Sequence, residues 1–229
     1  AIKKNNLEIL ACKKYSIPVV SRADMLAELM KNKKSIAITG SHGKTTTTSL
    51  IGNILDTANF DPTIINGGVI NSYSKNNKFG KGEWLVAEAD ESDGSFLKLP
   101  HQISIITNID IEHLDYYITK DNLLAAFESF LLNLPFYGYS IICLDNKNSK
   151  KIAEQINTRK IITFDYKNQK ADVNITKIIS RKNNTFFSIK IKKNIIKNYK
   201  GKYKFNLNLL GKHNIFNATA SIIVTLLIN

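Results

Sequence analysis

The chain has 229 residues, 43% of them hydrophobic, and a formal net charge of +13. That length allows one large domain or one domain with a fragment of another, and the apolar content supports a packed core and excludes a long disordered chain. No apolar run approaches the ~20 residues of a membrane span, and no charged-then-apolar leader with a small-residue cleavage site opens the chain. The excess of lysine invites a nucleic-acid reading, but the lysines are spread along the whole chain. Their densest tract, Arg181 to Lys204, alternates with Ile and Phe as the solvated face of β-hairpins does. No nucleic-acid partner and no membrane insertion are therefore expected. Two cysteines, Cys12 and Cys143, lie in apolar surroundings and read as buried, reduced thiols of a cytoplasmic protein.

In chain order, Leu7–Tyr15 reads as a helix, Ile17–Val20 as a short strand and Arg22–Met30 as a second helix with Ser21 as its N-cap. A strand over Ser35–Thr39 leads into Gly40-Ser-His-Gly-Lys-Thr-Thr-Thr-Thr48 and a helix to Asn59. A strand at Thr63–Ile65 precedes a loop carrying Gly67-Gly68. Strands follow at Trp84–Ala89 and Ile103–Thr107, then a helix from Asp121 to Leu132, a strand at Ser140–Leu144, a helix at Ser149–Ile156 and a strand at Lys160–Phe164. Strands alternating with helices predict an α/β fold with a mostly parallel sheet and helices on both faces. From about 171 to 210 the pattern alternates without helices, which predicts a small antiparallel β-subdomain. A last helix begins near Gly211. The chain starts at Ala1 and stops at Asn229 inside an apolar helical pattern, so a piece of a longer protein is expected.

In open parallel sheets, ligands bind beyond the carboxyl ends of the strands. That rule selects Gly40–Thr46, Glu88–Asp93 and Asn108–Asp115. The first is a shortened phosphate loop, G-x-x-G-K-T-T, since the general pattern would need glycine where Ile38 stands. Gly40 and Gly43 let the backbone curl inward, with Ser41 and His42 between them. Lys44 brings a mobile charge for phosphate, Thr45 a hydroxyl for Mg2+, and Thr46 continues the helix start. For His42, a role near phosphate competes with plain exposure. In the acidic run Glu88-Ala-Asp-Glu-Ser-Asp93, Glu88 is the preferred Mg2+ ligand because the strand pins it. His113 could ligate a second metal or bond a phosphoryl oxygen. His101 carries no special signal. Asn214 and Asn217 sit about one turn apart at a helix start, where capping is the first reading and an adenine edge the second.

Together these residues resemble the Mur ligase family. The resemblance rests on Ala37–Thr48, Ala87–Phe96, Thr107–Asp115, Asn133-Leu-Pro-Phe-Tyr-Gly138 and Gly211–Ala218, in family order. It implies an ATP- and Mg2+-dependent carboxylate–amine ligase of peptidoglycan synthesis in the cytoplasm. Lys44 and Gly40–Thr46 would hold phosphates, Thr45 and Glu88 one Mg2+, and His113 a second metal site. Asn214 and Asn217 would face the adenine, with Lys44, Glu88 and His113 the catalytic set. The branch implied adds L-alanine to UDP-N-acetylmuramate through an acyl phosphate. Residues 1–34 would end the UDP-sugar domain, 35–229 would form the central ATP domain, and the third domain would be absent. Several relatives carry a carbamoylated lysine after the histidine loop. No lysine lies between Lys120 and Lys147, so no such modification is expected. The alternatives are a murein-peptide recycling ligase, a folylpolyglutamate-type ligase and a nucleotide-binding module without catalysis.

Overall fold

A computed structural model describes residues 2–3, 5–70 and 75–228. Ala1 and Asn229, on which the expectation of a longer chain rests, lie outside them. Among the described residues, ten strands form one sheet. The parallel part comprises β1 (Lys34–Thr39), β2 (Thr63–Ile70), β4 (Trp84–Glu88), β5 (Ile103–Ile106), β6 (Tyr139–Cys143) and β7 (Lys160–Asp165), with β3 (Lys75–Lys78) antiparallel on one edge. The antiparallel strands β8 (Val173–Arg181), β9 (Asn184–Ile196) and β10 (Tyr199–Leu207) complete it. The order is β10-β9-β8-β7-β6-β5-β1-β4-β2-β3. The antiparallel strands expected as a subdomain therefore continue the main sheet, joined by the parallel pairing Phe164↔Val173.

The central strands are mostly apolar on both sides, because both faces of the sheet are covered. Ile36, Ile38 and Val86 face one core with Ile51 and Leu55 of α3 (Lys44–Thr57) and with Ile215, Ile223 and Val224 of α7 (Lys212–Ile228). Ala37, Leu85 and Ala87 face the other with Phe127 and Phe130 of α5 (Lys120–Leu132) and Ile152 of α6 (Lys147–Gln155). Ala27 and Met30 of α2 (Arg22–Lys31) join this second core. By contrast α1 (Leu7–Lys14) buries no residue. Ser21 caps α2 as expected, in a reciprocal box with Asp24.

Three local expectations are corrected. Ile17–Val20 forms no strand and lies exposed, pairing with no strand of the sheet. Gly67 and Gly68 lie within β2 and not in a loop. Cys12 is only half-buried on α1, whereas Cys143 is buried in β6.

The chain passes from β1 out to β2, returns to β4, then crosses to β5 on the other side of β1. Strand order thus reverses around β1, and the loops leaving β1, β4 and β5 become neighbours at one end of the sheet.

Candidate functional site

The loop after β1 curls because two residues adopt left-handed backbone. Gly40 has φ +127 and Gly43 has φ +88. A Cβ on Gly40 would stand 2.3 Å from Thr107 Oγ1 and 2.7 Å from the Asn108 carbonyl oxygen, so the loop is pressed against the end of β5. Gly43 is the N-cap of α3 and makes no side-chain cap bond. The first turn of α3 thereby keeps backbone N–H groups and the positive end of its dipole for an outside anion.

Lys44 opens that helix and folds back over the loop. Its Nζ donates to Gly40 O at 2.7 Å and to both Glu91 carboxylate oxygens at 3.0 and 3.1 Å. Thr45 Oγ1 donates to Glu88 Oε1 at 3.0 Å, and the Gly67 N–H donates to Glu88 Oε2 at 2.6 Å. Thr46 follows, half-buried. The hydroxyl and carboxylate expected at one Mg2+ therefore stand side by side. Mg2+ keeps several waters and takes one or two protein oxygens beside phosphates, so this donor pair fits it. Among the described residues, no three His, Cys, Asp or Glu side chains form a metal cage.

His113 lies elsewhere in the cluster. It takes φ +57 as the N-cap of α4 (Leu114–Tyr117), and its Nε2 stands 3.9 Å from Glu91 Oε1. Glu91 is only 1% exposed. Its backbone carbonyl accepts the Tyr117 hydroxyl. Burial, aided by the Glu91 charge, pushes the Tyr117 phenol above the usual tyrosine range.

The phosphate loop is held from β5. Asn108 Oδ1 accepts the His42 N–H and Asn108 Nδ2 donates to His42 O, both at 2.9 Å. Thr107 Oγ1 donates to the same carbonyl at 2.7 Å. Ser41 Oγ accepts the Asp110 N–H at 2.9 Å. The exposed His42 ring lies 3.5 Å from Asp110 and 3.6 Å from Glu112. Glu91, Thr107 and Asn108 were not singled out by sequence. Glu91 and Asn108 lie in the two other strand-end loops, and Thr107 ends the strand read at Ile103–Thr107.

Beside the loop opens a cleft of about 550 Å³, lined by Gly43, Asn108, Cys143, Asp145, Lys212, Phe216 and Asn217 among others. Asn217, 6% exposed, fills the space that a Cβ on Gly43 would need, with Oδ1 at 2.6 Å from that point. Asn214 does not line the cleft. It is half-buried, and its Nδ2 donates to Leu210 O at 2.7 Å. Both lie inside α7, so neither is its N-cap. Lys212 Nζ pairs with Asp145 at 2.9 Å and sits 4.9 Å over the Phe216 ring. Burial pushes the Cys143 thiol up to about 12, which keeps it protonated.

Residues 38–225 match the model of the Mur ligase middle domain. A UDP-N-acetylmuramate–L-alanine ligase of Agrobacterium fabrum is 46% identical over 224 residues, covering 98% of this chain and 47% of that protein. The chain spans about half the length of the curated relatives it matches. A crystal structure of UDP-N-acetylmuramate-alanine ligase from Thermotoga maritima superposes with a TM-score of 0.82 at 24% identity, over 98% of this chain and 49% of that one. The structure of a UDP-N-acetylmuramate:L-alanyl-gamma-D-glutamyl-meso-diaminopimelate ligase from Neisseria meningitides gives 0.83 at 18% identity, over 100% and 72%. With the middle-domain match running over the phosphate loop, the acidic loop and α7 alike, the chain belongs to the Mur ligase family.

Proposed function

We propose that this chain is the ATP-binding part of a ligase that adds L-alanine to UDP-N-acetylmuramate in the cytoplasm, for peptidoglycan synthesis. Residues 35–229 would be the central domain and 1–34 the end of a UDP-sugar-binding domain. The observation that carries the reading is the set Lys44, Thr45 and Glu88 at the start of α3, next to the cleft that Asn217 lines. Phosphates lie against the Gly40–Thr46 backbone and the α3 N-terminus. The Thr45 hydroxyl and the Glu88 carboxylate would hold Mg2+, which would supply positive charge beside the phosphate oxygens. The adenine takes the cleft between Asn217 and Lys212. Asn214, which donates to Leu210 O, stands outside that cleft.

The substrate carboxylate attacks the γ-phosphorus and ADP leaves. The amine of L-alanine then attacks the acyl phosphate carbonyl and phosphate leaves. Lys44 supplies positive charge where negative charge grows on the bridging oxygen of the departing ADP, and His113 serves the side nearer the acyl phosphate. This chemistry is positioning and electrostatics.

The backbone alone fits a murein-peptide recycling ligase equally well, since the two TM-scores are 0.82 and 0.83. The 46% identity to the L-alanine ligase favours the first reading. Phosphate release from ATP by the full-length enzyme with UDP-N-acetylmuramate, comparing L-alanine with a tripeptide, separates the two. Glu88→Gln is expected to raise the Mg2+ needed for half-maximal turnover by about 10–100-fold, the range seen when groups at a metal site are lost. Turnover supported by the tripeptide alone, or an unchanged Mg2+ requirement, would sink the corresponding part of the proposal.

A further inference from the structure

Glu91 is the most enclosed charged side chain in the cluster and has no role in the chemistry outlined above. Its side chain is 2% exposed, against 15% for Lys44 and 38% for His113. A carboxylate that far from water needs a cation. It has one: Lys44 donates to both of its oxygens, and His113 faces it at 3.9 Å. The lysine ammonium has three donors. Gly40 O takes one and Glu91 takes the rest.

All three donors of Lys44 are thus taken by groups of the protein itself. An arriving phosphate meets a neutral lysine–carboxylate pair and not a bare cation, and it must draw donors away from Glu91. The same tether fixes where the ammonium stands, within reach of Gly40 O and of the α3 N-terminus. Fixed placement favours the charge that develops late in phosphoryl transfer over the charge already present on the bound nucleotide.

We infer that Glu91 is the positioning residue of the phosphate site, holding Lys44 and facing His113 at the cost of weaker ground-state nucleotide binding. This rests on the nucleotide reading given under Proposed function. The isosteric change Glu91→Gln removes the charge and spares the Tyr117 bond, because that bond is made to the Glu91 backbone carbonyl.

Two measurements on the chain test the inference. Trace acetylation with acetic anhydride, read peptide by peptide in a mass spectrometer, needs no ligand. Lys44 should label at least about threefold faster in Glu91→Gln, with the exposed Lys202 as an unchanged internal reference. Calorimetric titration with ADP should show affinity at least about threefold tighter in Glu91→Gln, the direction expected when a negative charge leaves an anion site. A merely structural role would not tighten binding. Glu91→Asp keeps the charge but retracts it by one methylene, and its Lys44 should label at an intermediate rate. Lys44 labelling at the wild-type rate in both variants, or ADP bound no tighter by Glu91→Gln, overturns the role alone. A wild-type chain that binds no ADP overturns the nucleotide reading and the positioning role with it.

Discussion

Two histidines bracket β5 and occupy opposite environments. His101 lies before the strand, 4% exposed, with its ring stacked 4.3 Å from that of Phe130 and Nδ1 bonded to Leu99 O at 2.8 Å. Burial pulls its pKa down to about 4, so it is neutral at pH 7. His113 lies beyond the other end, half-buried, in left-handed backbone and facing a carboxylate. At the amino ends of the strands the polar group is closed in by the protein's own rings and one carbonyl. At the carboxyl ends, polar groups pair with one another around an opening. Residue type does not separate these two cases. Enclosure and the nature of the partner do.

The largest test of that contrast removes a partner at the carboxyl end. Lys44→Ala leaves the Glu91 carboxylate buried without its main cation. Breaking a buried ion pair from one side costs about 3–5 kcal/mol. Urea unfolding should show a loss of that order, and adding Glu91→Gln should restore most of it. A loss below about 1 kcal/mol, or no recovery in the double variant, would mean that the pair is open to water and the enclosure argument is wrong.

At the amino end the test is pH. Unfolded, His101 titrates near its ordinary value of 6.5; folded, it does so at about 4. Between those values the unfolded chain binds a proton that the folded chain does not. Stability is therefore full above about pH 6.5, falls as the pH drops through the window, and levels off below about 4, for a total of about 3 kcal/mol. His101→Leu should lose this slope while keeping the part due to carboxylates. If wild type and variant lose the same stability between pH 7.5 and pH 4.5, His101 is not held neutral in the core.

How much of this could be read from sequence follows the same division between local and distant causes. Gly40, Gly43, Lys44 and Thr45 are contiguous, so their motif announces the loop. The rule that ligands sit at strand ends then selects the other two loops. It could not say which carboxylate faces which donor. Glu88 and Glu91 lie three residues apart, yet one meets Thr45 and the other Lys44, because the chain turns after β4. Asn108 was read only as part of a polar loop because its partner, His42, is 66 residues away. Gly67 looked like a loop residue. In the fold it lets β2 pass close to Glu88, where a Cβ would stand 2.9 Å from Oε2. Ile17–Val20 has the composition of a strand, but composition does not say whether a segment pairs, and this one stays exposed.

The smallest effect is expected where nothing encloses the charge. Lys202 of β10 lies directly opposite Lys190 of β9, and both are exposed. Like charges facing each other across an antiparallel pair repel, and opposite charges there contribute roughly 0.2–1 kcal/mol. Lys202→Glu should therefore stabilise the chain slightly, and the gain should shrink in 1 M salt, where the Debye length falls to about 3 Å. Chemical denaturation at low and high salt measures both. A change of several kcal/mol in either direction would mean that this lysine-rich face is packed against something and is not the solvated surface its exposure indicates. The ranking of buried pair, buried neutral ring and open surface would then need another basis than enclosure.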